Sequence, residues 1–409
     1  MRIPLEGIRV LDLTQSVAGP YCTMILGDLG ADVVKVERPD GGDDTRSWGP
    51  PYWGEESTTF LALNRNKRSV ALDLKRKEGQ KILRELLQRA DVLVHNLRTR
   101  AADRLGLSYE SVRDENPKII YCSMTAYGNV GPMRHFPGYD PLMQAFGGLM
   151  SITGEPDGSP VRVGTSIMDM GMGMWAVIGI LGALHNRSRT GEGELVETSL
   201  YETAVSWIPY QIMSYLGTGE VPRRHGSGTA MLAPYEAYPT SDGHLLVAAG
   251  NNSLWDKLCR VLELKEARND PRFRDNPDRV RNRAALFEVL AGRLRTDTTQ
   301  GWAEKLRAAE VPCSPIRTID QVVAEPQTEA INVLRSIAHP RLAGYKDVGI
   351  PVLWDQARPE TRRVPPLLGD ATKEVLGELG CSSQEIDELV AQGVVVATDD
   401  ESHPTDARE

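Results

Sequence analysis

The chain lacks the marks of several protein classes. Its 409 residues include five cysteines, at 22, 122, 259, 313 and 381, odd in number and with no CxxC or Cys/His metal spacing. A disulfide framework and a structural metal are therefore not expected, and a reduced, cytoplasmic protein is. Positive charge is in deficit: 47 Lys and Arg stand against 56 Asp and Glu, a net charge of −9. No nucleic-acid partner follows from that balance, and an anionic ligand needs a local cluster of cations. The start, Met1–Gly7, has no apolar run of signal-peptide type. The longest uncharged apolar stretch, Met170–Leu184, is Gly-rich and falls short of the roughly 20 residues of a membrane span. A buried helix is expected there, and no membrane partner. Aromatic residues are scarce, at 6%. The G-x-G-x-x-G fingerprint is absent after the first predicted strand, which disfavours an NAD or FAD site.

What is present is ordinary for a globular protein of two or three domains, with 41% hydrophobic and 25% charged residues. Gly7–Leu13 reads as a strand, Pro20–Gly30 as a helix and Ala31–Glu37 as a second strand, a unit that implies a right-handed parallel crossover. Ser69–Leu74, Asp91–Asn96 and Lys118–Met124 read as further strands. Glu78–Arg89 is an amphipathic helix with Ile82, Leu83, Leu86 and Leu87 on one face. The fold class is α/β, with a Rossmann-like open parallel sheet in a large domain and a smaller α+β domain. The large domain spans 1–216, and the small one spans 217–319. There Pro234–Ala249 reads as a hairpin, followed by helices at Ser253–Leu262, Arg281–Arg293 and Thr299–Ala309. Residues 320–409 return to the large domain, with late helices at Ala371–Leu379 and Ser383–Gln392 and an acidic tail from Ala397 expected to be disordered.

Sheets of this kind bind ligands on the loops after the strands. Those loops are Thr14–Gly19, Arg38–Arg46, Asn96–Arg104 and Thr125–Gly138. One more residue stands out. Asp169 is the sole acidic residue between Asp157 and Glu192, and it opens the apolar stretch. A lone carboxylate there is costly to bury unless something uses it. It reads either as a helix N-cap, for which Asp is favoured, or as a nucleophile.

Several blocks resemble the class III CoA-transferases, the family of formyl-CoA transferase and carnitine CoA-transferase. They are Leu11-Asp12-Leu13-Thr14 with Ala18-Gly19-Pro20, Leu29–Glu37 followed by Gly41-Gly42-Asp43 and Arg46, and Asn64–Ser69 leading into Leu72-Asp73-Leu74-Lys75. Ala90-Asp91-Val92, Asn96-Leu97-Arg98, Arg104–Leu107, Asn116-Pro117, Tyr127-Gly128, Gly138-Tyr139-Asp140 and Pro366–Gly369 follow in the family's order. The resemblance covers nearly the whole chain.

It implies an enzyme that moves CoA from an acyl-CoA donor to a carboxylic acid acceptor. Asp169 matches the catalytic Asp, passing through a mixed anhydride and an aspartyl-CoA thioester. CoA is then a substrate, and no cofactor is bound permanently. The family's CoA contacts fall on Val17, Ala18, Arg38, Leu72, Asp73, Leu74, Lys75, Asn96, Leu97, Arg98 and Arg104, with Tyr139 and Asp140 added. Any single one of these Arg residues is more often a solvated surface charge, and Lys67 and Arg68 read equally as surface charges. The related racemases carry a His where this chain has Tyr139, and a phenol is a poor base near pH 7. An α-methylacyl-CoA racemase and a CoA-binding protein without turnover are the alternatives. Gly226-Ser227-Gly228 reads as a mobile active-site loop or as a plain linker. The resemblance also implies a homodimer of two interlocked rings.

Overall fold

The computed structural model describes residues 3–398 of the chain; residues 399–409 of the expected disordered tail lie outside them. It divides into two compact units. The first is the described part of Met1–Gly147, Gly164–Pro209 and Glu329–Glu409. Its sheet contains β1 (Arg9–Leu13), β2 (Asp32–Glu37), β3 (Lys67–Leu72), β4 (Val92–His95), β5 (Ile120–Thr125) and β6 (Leu195–Ser199). Across the sheet they run β3-β2-β1-β4-β5-β6, all parallel. The short strand Val395–Val396 adds an antiparallel edge beside β3. These strands are apolar runs such as Val33-Val34 and Val92-Leu93-Val94 because helices cover the sheet. Helix α1 (Ala18–Asp28) joins β1 to β2, and α2 (Lys77–Arg89) joins β3 to β4, burying Ile82, Leu83, Leu86 and Leu87.

The chain lays down β1, β2 and β3 to one side and then returns to place β4 on the other side of β1. That reversal of strand order, between β1 and β4, is the usual ligand site of such sheets. Helices α3 (Asp140–Phe146), α4 (Ile167–Thr190) and α5 (Leu200–Ser206) complete the site's frame. Helix α4 has 24 residues, longer than its apolar run, and is apolar enough by composition to cross a membrane. Its inner face instead packs on α1, burying Met168, Met172, Ala176 and Ile180. Gly171 and Gly173 permit the close fit. A Cβ on Gly173 would stand 2.8 Å from the Ala18 carbonyl oxygen, and one on Gly171 would stand 2.6 Å from the Trp207 ring.

The second unit, Gly148–Val163 with Tyr210–Thr328, holds a sheet of β7 (Tyr235–Pro239), β8 (His244–Ala248) and β9 (Cys313–Pro315). Strands β7 and β8 form the expected hairpin, and β9 is an addition that its three residues did not announce. Helices Asn252–Val261, Arg283–Leu294 and Thr299–Ala308 lie close to their expected bounds. Their core gathers Tyr238, Leu245, Trp255, Leu290 and Trp302.

Candidate active site

Beneath the first three strand ends lies a buried network of charges. Lys67 and Arg68, which the sequence leaves as possible surface charges, are 1% and 5% exposed, because β3 starts two residues earlier than its apolar pattern. Lys67 Nζ donates to Asp12 Oδ2 (3.1 Å), Asn64 Oδ1 (2.9 Å) and the Pro20 carbonyl (2.9 Å). Lys35 Nζ donates to Asp43 Oδ2 (2.8 Å) and the Thr14 carbonyl (2.9 Å). Glu37 accepts from Arg46, Ser69 and the Asp43 backbone N–H. Burial alone would raise the Asp12 carboxyl, yet Lys67 and Lys35 hold it well below the usual carboxylate range. Burial pushes Lys67 down to about 8, against the pull of Asp12.

This network fixes the loops that rise above it. The Ser16 N–H donates to Asp43 Oδ1 at 3.1 Å, which helps hold Ser16 at φ +69°, a left-handed conformation costly for serine. Gln15 and Asn96 exchange two hydrogen bonds, N–H to Oδ1 at 3.1 Å and Nδ2 to carbonyl at 2.7 Å. That clasp spans the loops after β1 and β4, at the reversal of strand order. Gln15 was passed over in the sequence; its place on the first strand-end loop was the available signal. His95, also passed over, ends β4. Its Nε2 lies 2.7 Å from the Tyr121 hydroxyl, which donates to the Leu107 carbonyl, so Nε2 carries the ring proton. Burial pushes the ring down to about 4 and keeps it neutral.

The expected CoA contacts sit as follows. Val17 and Ala18 are buried at the start of α1. Arg38 follows β2, and its guanidinium bonds Asp44 (2.5 Å) and the Asp40 carbonyl (2.9 Å) while staying exposed. Leu72 is buried at the end of β3; Asp73 and Leu74 are half-buried, and Lys75 is exposed. Asp73 Oδ1 accepts from the Lys75 N–H, closing that turn. Asn96 and Leu97 are half-buried, Arg98 precedes the helix Thr99–Arg104, and Arg104 is exposed at its end. Asn96 is thus joined directly to Gln15, and Asp43 bonds the next residue, Ser16. Leu72–Lys75 and Arg104 occupy separate strand exits along the same edge. In the second unit, Gly226-Ser227-Gly228 is tied down: the Gly226 N–H donates to the Gly154 carbonyl (3.0 Å), and Ser227 Oγ accepts from the Ala237 N–H (2.9 Å).

Asp169 is the third residue of α4, in its first turn, and not the N-cap. The residue before the helix, Ser166, makes no side-chain cap. The cap comes from Asp140, at the start of α3. Its Oδ2 accepts the N–H groups of Met168 (2.7 Å) and Asp169 (3.3 Å), and its Oδ1 accepts from Gln144 Nε2 (2.6 Å). Asp140 is 2% exposed, so its carboxylate is committed within the chain. Tyr139, just before it, is 59% exposed. Asp169 is half-buried, and its carboxylate has no hydrogen-bond or ion-pair partner among the described residues. Burial, and then the Asp140 charge, push it up to about 7. Asp169 and Gly173 are four residues apart, on one face of α4. At Gly173 that face meets α1, at Ala18 and Tyr21, one turn beyond Asp169. An unpaired, incompletely stabilised carboxylate is suited to nucleophilic attack.

Among the described residues no cluster of three or more His, Cys, Asp or Glu side chains is placed to hold a metal ion. All five cysteines are free thiols.

Comparison with known proteins places these features in a family. Residues 5–372 match CoA-transferase family III, and the chain belongs to it. The succinyl-CoA:glutarate CoA-transferase of Mus musculus is 39% identical over 393 residues, covering 96% of this chain and 90% of its own. A succinate–glutarate CoA-transferase of Agrobacterium fabrum is 38% identical over 387 residues, covering 92% of this chain and 96% of its own. The crystal structure of a CAIB/BAIF family protein from Brucella suis superposes with a TM-score of 0.84 at 36% identity, over 93% of this chain and all of that one. The protein is a class III CoA-transferase.

Proposed function

We propose that this enzyme transfers CoA between dicarboxylic acids, with Asp169 as the nucleophile. The carboxylate oxygen attacks the donor thioester carbonyl, the C–S bond breaks, and CoA leaves as thiolate. The thiolate attacks the Asp169 carbonyl of the resulting mixed anhydride and releases the donor acid, which leaves an aspartyl-CoA thioester. An acceptor carboxylate then repeats both steps in reverse and returns Asp169 as a free carboxylate. No resident cofactor enters this cycle, and each step exchanges one acyl bond for another, so transfer runs near equilibrium.

The observation that carries the reading is the unpaired Asp169 carboxylate in the first turn of α4. A salt bridge would have quenched it. The helix N-terminus beside it favours developing negative charge during attack. Val17, Ala18, Arg38, Leu72–Lys75, Asn96–Arg98 and Arg104 form the CoA cradle in this reading, the arginines meeting phosphate. Glutarate and succinate in the relatives' names favour dicarboxylate substrates. Tyr139 speaks against proton transfer at the α-carbon. The enzyme acts as a cytoplasmic homodimer of interlocked rings. The exposed apolar side chains Met174, Trp175 and Ile178 along α4 support a covering partner.

The test is Asp169→Ala with a panel of acyl-CoA donors and mono- and dicarboxylic acceptors, read by mass spectrometry. Transfer should fall at least about a thousandfold while CoA still binds. Retained turnover would sink the assignment, and preference for monocarboxylates would overturn the substrate class.

A further inference from the structure

We infer that Asp140 is a positioning residue that controls the reactivity of Asp169, and that it does so by taking the backbone donors Asp169 would otherwise use. This rests on Asp169 being the nucleophile. The first turn of an α-helix presents N–H groups without partners, and a carboxylate in that turn normally settles on them and on the positive end of the dipole. In α4 the donors of Met168 and Asp169 are already engaged by Asp140 Oδ2, at 2.7 and 3.3 Å. Asp140 reaches them from another helix, and Gln144 Nε2 holds its second oxygen at 2.6 Å. The cap therefore fixes the backbone that carries the nucleophile, yet leaves the nucleophile itself unsatisfied.

The arrangement also places two carboxylates together with no cation between them. On α3, Asp140 is the only titratable side chain, and on the first turns of α4 it is Asp169. From α5, which packs on both helices, come Tyr201 and Glu202, the latter's carboxylate engaged by Ser199 Oγ at 2.6 Å. From α1, which packs on α4, come Tyr21, against Gly173, and Asp28, paired with Arg65. The neighbouring charge that lifts Asp169 is that of Asp140. When Asp169 attacks, its oxygen forms a bond to the thioester carbon and the C–S electron pair leaves with the thiolate. The side chain becomes a neutral acyl group and its repulsion with Asp140 ends. Asp140 thus disfavours the free anion relative to both acylated states, which is the direction that speeds attack.

The experiment compares wild type with Asp140→Asn and Asp140→Ala by the pH profile of kcat/KM, which reports the free enzyme. Asparagine keeps a carbonyl oxygen for the two N–H groups and removes the charge; alanine removes both. In wild type kcat/KM should rise with pH through about 7. With asparagine the midpoint should fall by roughly one unit, so the ratio of kcat/KM at pH 6 to that at pH 8 rises about fivefold. With alanine, which also frees the two N–H donors, it should fall further. Alanine should also lose more rate at pH 8 than asparagine. A merely structural Asp140 would lower the rate with an unmoved midpoint, and that result overturns the inference.

A second readout needs no turnover. The extra thermal stability that Asp169→Asn confers at pH 8 should shrink when Asp140 is already asparagine. An unchanged gain overturns the inference as well. Full activity in Asp169→Asn would instead reject Asp169 as the nucleophile, so the two failures are distinguishable.

Discussion

Two sets of buried or half-buried acids lie in the first unit, and they are built on opposite rules. Under the ends of β1, β2 and β3, Asp12, Glu37 and Asp43 each face a cation at 2.7 to 3.1 Å. At the start of α4, Asp140 and Asp169 face each other with no cation between them. The first set is neutralised and holds loops in shape. The second is left unneutralised where the chemistry is proposed. Burial raises the cost of any charge, so what separates scaffold from nucleophile is whether a partner answers it. The two regions are linked by α1, whose Pro20 carbonyl accepts from Lys67 and whose Ala18 carbonyl rests against Gly173.

The comparison can be broken most forcefully from the scaffold side. Lys67→Met leaves Asp12 buried without its closest cation, and should cost about 3–5 kcal/mol of stability by chemical denaturation. A loss under 1 kcal/mol would show that the network is not what holds the strand-end loops. Gly173→Ala acts on the link. The new methyl would meet a backbone oxygen at 2.8 Å, so α1 must shift, at about 1–3 kcal/mol. CoA affinity, measured by calorimetry, should weaken with it because Val17 and Ala18 move.

The smallest effect is the most diagnostic. A carboxyl whose folded pKa is raised from 3.8 to about 7 binds a proton on folding between those values, so stability falls as pH rises through that window. Asp169→Asn removes the ionised cost. At pH 8 it should stabilise by about 1–2 kcal/mol, the shift discounted for partial exposure, and below pH 4 the gain should vanish. Thermal melts across pH check this. A paired carboxylate of the scaffold kind would give the opposite sign.

Much of this was legible in the sequence, for physical reasons. Parallel strands buried on both faces declare themselves as apolar runs, so Val33–Val36 and Val92–Val94 marked their strands. The amphipathic face of Lys77–Arg89 and the hairpin turn at Ser241-Asp242-Gly243 were equally plain. Asp169 was visible as a lone acid before an apolar stretch. What stayed hidden depends on contacts between distant residues. Lys67 and Arg68 begin a strand with two charges, and only the folded chain brings them Asp12, Asp32 and Glu378. Strand Val395–Val396 is too short to carry a pattern. The cap of α4 comes from Asp140, on a separate helix, whereas a local reading looks for it at Ser166. The Gln15–Asn96 clasp likewise joins residues on two loops that are neighbours only in the sheet.

The central claim is that Asp169 forms a covalent bond to the transferred group. The direct measurement is to incubate the enzyme with an acyl-CoA, quench, digest and locate adducts by mass spectrometry, with a hydroxylamine-treated control. A CoA thioester is expected on Asp169, lost with hydroxylamine and absent from Asp169→Asn. Steady turnover with no adduct, or an adduct on another residue, would contradict it.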